Sequence, residues 1–305
     1  MHKPFVSVII VSYNTRDLTL TCLKHVFATT GFKSEELEVI VVDNHSSDGT
    51  VAAIKSKYPQ VKIVASRANL GFGAGNNLGA KQAQGEYLLL LNTDAYLSAT
   101  TLSSLVKTIQ SNDQISAVGP GFHYEDGSFQ QSAGYFPTPW AVVGWMWGFD
   151  KLPLIKYLFA SPYHLYDARW YTHSRPVDWL MGACVLLKRA DFLRVGGFDE
   201  SIFMYAEEIE LFQRLAETTG RSAYFVSASS IVHLGSASTK KSSATRLLNE
   251  LKGIEYIYRK HSPALLWIIR IIIYTGVTMR IAIFSLIPSR RQAVLEYKKY
   301  FIARS

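Results

Sequence analysis

The sequence predicts an α/β fold: a mostly parallel central sheet with flanking helices, followed by an apolar, amphipathic helical tail. Two observations predict the sheet. Four short buried-strand runs alternate with stretches of helical spacing between residues 6 and 91, joined by short connections, which is the pattern of parallel strands linked by helices. Each run also stops at a polar cluster: Ser12-Tyr13-Asn14, Asp43-Asn44, Arg67-Ala68-Asn69 and Asn92-Thr93-Asp94. Ligands of such sheets bind beyond the carboxyl ends of the strands. A third observation predicts the tail. Residues 264–287 are strongly apolar, and Arg290, Arg291, Lys298, Lys299 and Arg304 follow them.

Taken in order, Val6 to Val11 is a continuous β-branched run, as in a strand covered on both faces. Asp17 to Ala28 has helical spacing through Leu18, Cys22, Leu23 and Val26. Val39 to Val42 is the second strand, and Ser46-Ser47-Asp48-Gly49 supplies turn chemistry before a helix over Thr50 to Tyr58. Val61 to Ala65 and Tyr87 to Leu91 are strands three and four, with the glycine-rich segment Leu70 to Gly79 opening a helix between them. Phe122 to Pro176 is rich in Trp, Tyr, Pro and Gly. It reads either as loops over the mouth of the site, where acceptors are recognised, or as loosely patterned core. Val177 to Leu187 reads as one further strand, and Glu207 to Thr218 as a helix with an acidic first turn.

A chain of 305 residues suffices for one large α/β domain or two small ones, and 48% hydrophobic content excludes gross disorder. The net charge of +8 suits phosphate-rich ligands, nucleic acid or an anionic membrane. Cys22 and Cys184 have no metal-ligand spacing and read as core thiols in a reducing compartment. The chain start runs straight into the first strand, unlike a signal peptide. In the tail, Arg270 and Arg280 argue against a simple span, since each mid-bilayer Arg costs roughly 2.5–3.5 kcal/mol. A helix lying in the membrane interface fits better, with spanning and a buried core or dimer helix as the competing readings. Cations concentrated beside an apolar helix favour membrane over nucleic acid.

Several residues are candidates for chemistry, each with a plainer competing role. Asp94, just past a strand end, has the hard oxygen a divalent cation needs, or it caps the next helix near Ala99. Asp43 is placed to accept from a ribose or a pyrimidine NH, or it closes an Asx-turn with Ser46. The glycines of Leu70 to Gly79 permit close backbone approach to a phosphate or base. The first strand, however, turns through Ser12-Tyr13-Asn14 without glycine, which disfavours a dinucleotide-binding dehydrogenase. Glu207 and Glu208 offer a general base, or merely suit the helix dipole. His233 ends an apolar run, as a metal ligand or a structural imidazole.

The order and spacing of these segments, with Asp178-Trp179-Leu180-Met181-Gly182-Ala183, Gly196 to Glu200 and Phe203 to Leu211, resemble glycosyltransferase family 2, in its rhamnosyltransferase-like branch. The resemblance covers about residues 5–240. It implies a GT-A fold, an inverting mechanism and a divalent metal, Mg²⁺ or Mn²⁺. It assigns Asp94 and His233 to the metal, and Glu208 to the general base with Glu207 as the other choice. The family has Asp where this chain has Glu208. It places Ser12, Tyr13, Asn14, Asp43, Asn69, Gly71, Asn76, Asn92, Gly182 and Ala183 around the donor, and Asp178 and Trp179 near the sugar or acceptor. The expected organisation is a catalytic domain over 1–240, with a donor part to about 120 and an acceptor part beyond it. A membrane-associating helical segment over 241–305 completes the chain. The implied reaction moves a sugar, first of all L-rhamnose from dTDP-L-rhamnose, onto a lipid-linked or polysaccharide acceptor at the cytoplasmic face of the membrane, the protein being peripheral. A UDP-sugar donor, a nucleotidyltransferase and a non-catalytic membrane-docked binding module are the alternatives.

Overall fold

The computed structural model describes residues 4–29, 31–33, 35–152, 154–158, 161, 163–235 and 243–302. The chain start up to Lys3, Ser236, Arg304 and the division expected at residue 240 lie outside them. The fold comprises two compact units. The first holds Met1–Ala133, Leu165–Phe203 and Glu207–Thr239; the second holds Gly134–His164, Met204–Ala206 and Lys240–Ser305. Residues 134–164 thus group with the C-terminal helices, whereas the sequence suggested one division in chain order.

The first unit opens as predicted. It runs β1 (Val6–Ser12), α1 (Arg16–Phe27), β2 (Leu37–Asp43), α2 (Thr50–Lys57), β3 (Lys62–Ala65), α3 (Phe72–Gln82) and β4 (Tyr87–Asn92). Then come β5 (Ala95–Leu97), α4 (Thr101–Ser111), β6 (Ile115–His123) and β7 (Phe129–Gln130), with β8 (Ala133–Gly134) at the passage into the second unit. After the excursion into the second unit follow β9 (Arg175–Val177), β10 (Trp179–Leu180), β11 (Cys184–Lys188), α6 (Arg189–Arg194), α7 (Glu207–Thr219) and β12 (Ser222–His233).

The main sheet has the order β3-β2-β1-β4-β11-β6-β12-β5. Strands β1 to β4 are parallel, and β6 is parallel to β12, while β11 enters antiparallel between β4 and β6. Ile9, Ile10, Val41, Leu89 and Leu186 are fully buried, as continuous apolar strands require when both faces are covered. Cys22 and Cys184 are free and buried.

The run 177–187 is broken into β9, β10 and β11, not one strand. The break before β11 is at Gly182, where an added Cβ would lie 2.9 Å from the Phe72 ring. β12 carries an irregularity between Val226 and Ser230, opposite Pro120 and Gly121 of β6. Pro120 has no N–H to donate, and a bulge is where a sheet tolerates that. Past it, β12 pairs with β5, matching His233 to Ala95.

The second unit contains α5 (Pro139–Trp147), α8 (Ser243–His261), α9 (Leu266–Ser285) and α10 (Arg291–Ile302). Thr138 caps α5 by accepting from the Ala141 N–H, with Pro139 in the first turn, where its missing donor costs nothing. α9 buries the stripe Ile269, Ile273, Gly276 and Val277. Gly276 lets α5 approach: a Cβ there would sit 2.7 Å from Met146 Cε. The two tail arginines do not simply face outward, because Arg270 pairs with buried Glu255 at 3.4 Å and Arg280 donates to the Trp145 carbonyl at 3.2 Å. By length and composition, Pro263–Ser285 would suffice to cross a bilayer.

Candidate active site

Parallel registry gathers three polar strand ends at one edge of the sheet. Ser12 pairs with Asp43, and Val11 with Asn92. The loops after β1 and β2 are stitched together. Asn14, at φ 52°, donates its N–H to Ser46 Oγ at 3.0 Å and accepts at Oδ1 from the Ser47 N–H at 2.8 Å. Asp48 accepts from the Arg16 N–H at 2.9 Å and the Thr50 hydroxyl at 2.5 Å. Partial burial pushes the Asp48 carboxyl up, but these hydrogen bonds outweigh it and hold it below its usual value.

Within this frame the predicted donor residues separate by role. Asp43 is buried, and its Oδ2 accepts from the Ser46 N–H at 3.3 Å, so the Asx-turn forms. Its Oδ1 is buried with no hydrogen-bond partner among the described residues. A buried carboxylate oxygen left unmatched is costly, and it suits the N–H or O–H of a nucleoside. Ser12 is fully buried, with its hydroxyl engaged by Thr15 and Thr19, which leaves Tyr13 and Asn14 as the exposed members of that cluster. Asn69 Oδ1 accepts from Asn44 Nδ2 at 2.9 Å and from the Gly71 N–H at 3.0 Å. Asn44 also accepts from the Leu70 N–H at 2.9 Å and donates to Gly71 O, so it moulds the whole turn into α3.

The glycines of α3 serve packing. A Cβ on Gly75 would meet Val11 at 2.8 Å, and one on Gly79 would meet Ile9 at 2.5 Å, so α3 lies directly on β1 and β2. Gly73 admits Phe198, and Gly71 lies against the Phe203 carbonyl. These contacts account for the glycines at 71, 73, 75 and 79 by packing. Asn76 is buried; its Nδ2 donates to Phe72 O at 3.0 Å, while its Oδ1 has no partner among the described residues. Asn77, overlooked in the sequence, bonds both Phe198 N and Phe198 O and reaches Glu200 at 3.0 Å. The turn it grips needs glycine at 197, where φ is 74° and a Cβ would fall 2.3 Å from Asn77 Oδ1.

Asp94 does not cap the next helix, because β5 intervenes and α4 begins only at Thr101. Instead the β12–β5 pairing, closed by the Leu234 N–H to Asp94 O bond at 3.0 Å, carries His233 to it. His233 Nε2 stands 3.5 Å from Asp94 Oδ1, with both residues buried. Gln130 Oε1 is 2.9 Å from His233 Nδ1. This contact holds the imidazole in place, with its Nε2 facing the Asp94 carboxylate. No group of three or more His, Cys, Asp or Glu able to hold a metal occurs among the described residues. Asp94 and His233 bring together a carboxylate oxygen and an imidazole nitrogen, the donor types of a divalent-metal site. Gln130 carried no motif that would have flagged it.

The acidic start of α7 also separates by role. Glu210 is fully buried and bidentate on Arg214, at 2.8 Å and 2.9 Å from its Nε, so it is structural. Glu207 is buried and Glu208 is half-buried. Just before them, Tyr205 and Ala206 both have positive φ, at 71° and 72°, a costly backbone for non-glycine residues. In the second unit, Gly253 of α8 packs on that pair: a Cβ would lie 2.5 Å from Ala206 Cβ. Asp178 is half-buried, whereas Trp179 is buried, so its ring is largely core. Gly182 and Ala183 form the turn before β11, and Ala183 O accepts the Asn92 N–H at 2.9 Å, beside the strand end of β4.

Comparison with known proteins gives the family and the fold. The model of the family Glycosyl transferase family 2 matches residues 7–195. The chain is 31% identical, over 73% of its length and 74% of the relative's, to the N-acetylglucosaminyl-diphospho-decaprenol L-rhamnosyltransferase of Mycobacterium tuberculosis. It is 28% identical to the rhamnosyltransferase WbbL of Escherichia coli, over 75% of this chain and 83% of that one. Among solved structures, a mannosyltransferase of Pyrobaculum calidifontis in complex with GDP-Man and Mn²⁺ superposes with a TM-score of 0.58 at 18% identity, covering 99% of this chain and 75% of the other. Staphylococcus aureus TarS 1–349 in complex with UDP gives 0.55 at 16% identity, covering 85% and 66%. The fold is GT-A, and the chain belongs to glycosyltransferase family 2 as a hexosyltransferase.

Proposed function

We propose that the enzyme transfers L-rhamnose from dTDP-L-rhamnose to a lipid-linked saccharide at the cytoplasmic face of the membrane, as a peripheral protein. The observation that carries the donor and acceptor classes is the 31% identity, across most of both chains, to an enzyme named for L-rhamnose and a decaprenol-linked N-acetylglucosamine. In this reading residues 1–120 hold the donor, residues 121–240 complete the catalytic and acceptor side, and 241–305 associate with the membrane.

Asp43 accepts from the nucleoside with its unmatched oxygen. Asn14, Asn76 and Asn92 border the nucleotide, Gly182 and Ala183 border the sugar, and Asp178 holds a sugar or acceptor hydroxyl. Asp94 and His233 hold Mg²⁺ or Mn²⁺, which when bound neutralises charge on the leaving diphosphate. Glu208 is the base: it is the half-exposed acid of the α7 start, while Glu207 is buried and Glu210 is committed to Arg214. Glu208 takes the proton of an acceptor hydroxyl as that oxygen bonds to the anomeric carbon. The bond from that carbon to the diphosphate oxygen breaks, its electron pair leaves with the nucleoside diphosphate, and the configuration inverts.

A donor screen tests this. Purified enzyme with Mn²⁺ is offered dTDP-, UDP- and GDP-sugars, and nucleoside diphosphate release is followed with a prenyl-diphosphate saccharide present. Release from dTDP-L-rhamnose alone, lost in Asp94→Ala, is expected. Release from a UDP- or GDP-sugar instead would overturn the donor assignment, and full activity of Asp94→Ala would overturn the metal site.

A further inference from the structure

Charge and exposed apolar surface are both concentrated in the second unit. Its ranges contain 15 Lys and Arg against 4 Asp and Glu, a net +11, while the first unit has 17 against 20, a net −3. The positive charge of the whole chain therefore belongs to the second unit. So do 14 of the 22 exposed large apolar side chains among the described residues, although the unit holds only 100 of the 305 positions. A soluble surface spends its apolar exposure singly and mixes its charges.

These apolar groups come from two places in the chain. One is α9, whose exposed face carries Trp267 and Ile271, with Leu286 just past its end. The other is the segment around and after α5, with Trp140, Leu154 and Leu158. Leu154 and Leu158 are 86% and 67% exposed, and Trp140 Nε1 donates to Leu158 O at 3.1 Å. Lys151 and Lys156 interleave this second run in the sequence. The segments belong to one body, since α5 packs on α9 through Gly276 and Met146. The pairing of Arg270 with Glu255 and the donation of Arg280 to Trp145 O give both cations protein partners.

We infer that the second unit docks as a whole on an anionic phospholipid bilayer, and that the 140–158 segment is an inserting element in its own right beside α9. This rests on the membrane-surface reading above and extends it to a segment outside the tail. Leucines and tryptophans enter the headgroup–acyl boundary, and the surrounding lysines and arginines meet anionic headgroups. The chemistry fits a charged lipid surface better than an acidic protein, because side chains as apolar and exposed as Leu154 gain most from the acyl boundary.

The test is flotation of the full-length enzyme with phosphatidylglycerol–phosphatidylcholine vesicles and with pure phosphatidylcholine. Wild type is expected to float with the mixed vesicles and less with the neutral ones. Leu154→Glu with Leu158→Glu should lower partition about 10-fold or more while leaving the melting temperature and thermal stabilisation by dTDP unchanged. Trp267→Glu with Ile271→Glu should act likewise. Lys151→Gln with Lys156→Gln, which keeps the apolar surface intact, should weaken binding to the mixed vesicles only. Wild-type partition of both the Leu154/Leu158 and the Lys151/Lys156 variants would overturn the inference and leave α9 as the sole anchor. Failure of the wild type to bind any vesicle would overturn the membrane reading as well, with the transferase chemistry untouched.

Discussion

At the scale of residues, Asp94 and His233 stand 3.5 Å apart, both buried, where the strand ends gather. Gln130 holds the His233 imidazole in place. Replacing it by Ala frees the ring to rotate. Gln130→Ala is therefore expected to raise the Mn²⁺ concentration for half-maximal turnover by about 10-fold or more, with kcat largely recovered at saturating metal. A metal titration checks this, and an unchanged midpoint would remove Gln130 from the site. Asp48 makes a separate prediction, on pH. Its carboxyl is held below the ordinary 3.8 by the Thr50 and Arg16 bonds, against partial burial. A depressed folded-state value stabilises the fold above the unfolded value, and the benefit disappears as pH falls through the folded one. Asp48→Asn should thus melt below wild type at neutral pH, and the gap should close as pH is lowered past 3.8. A gap that persists at the lowest pH would assign the loss to packing.

At the scale of elements, close contact matters more than cap or propensity. α3 lies on β1 because Gly75 and Gly79 leave room for Val11 and Ile9. α8 meets the strained Tyr205-Ala206 pair because position 253 is glycine. That pair directly precedes Glu207 and the proposed base Glu208 in the chain. Gly253→Ala puts a methyl 2.5 Å from Ala206 Cβ. It is expected to lower kcat by about 10-fold or more, since small misplacements of a catalytic group are expensive. Binding of dTDP should stay within about 2-fold, because the Asp43 side of the site is not touched. Equal losses in binding and turnover would point to general destabilisation instead.

At the scale of the whole molecule, the sheet and its ligand edge were legible because parallel buried strands leave long apolar runs that end in polar clusters. Asp43, Asp94, His233 and Glu208 stood out as candidates because their residue types recur at spacings resembling a known family, and the structure brings Asp94 and His233 to within 3.5 Å. What the sequence did not disclose is the work of tertiary contacts. Gln130 and Asn77 act across 103 and 121 residues of chain, and no local period records such a bond. The packing contacts of the α3 glycines were not legible, since a packing glycine and one that admits a phosphate or base look the same without the neighbour that fills the space. Likewise, Phe122 to Pro176 left loops and loosely patterned core as open readings, because α5 within it packs on the distant α9.

In the proposed reaction Glu208 deprotonates an acceptor that receives rhamnose from a dTDP donor. Its most direct test is transfer of labelled rhamnose from dTDP-L-rhamnose to a prenyl-diphosphate N-acetylglucosamine, comparing wild type with Glu208→Gln. The account predicts a product with inverted anomeric configuration from wild type, and a fall of roughly 10²–10⁴ in kcat for Glu208→Gln with dTDP binding retained. Transfer at the wild-type rate by Glu208→Gln, or a product with retained configuration, would contradict it.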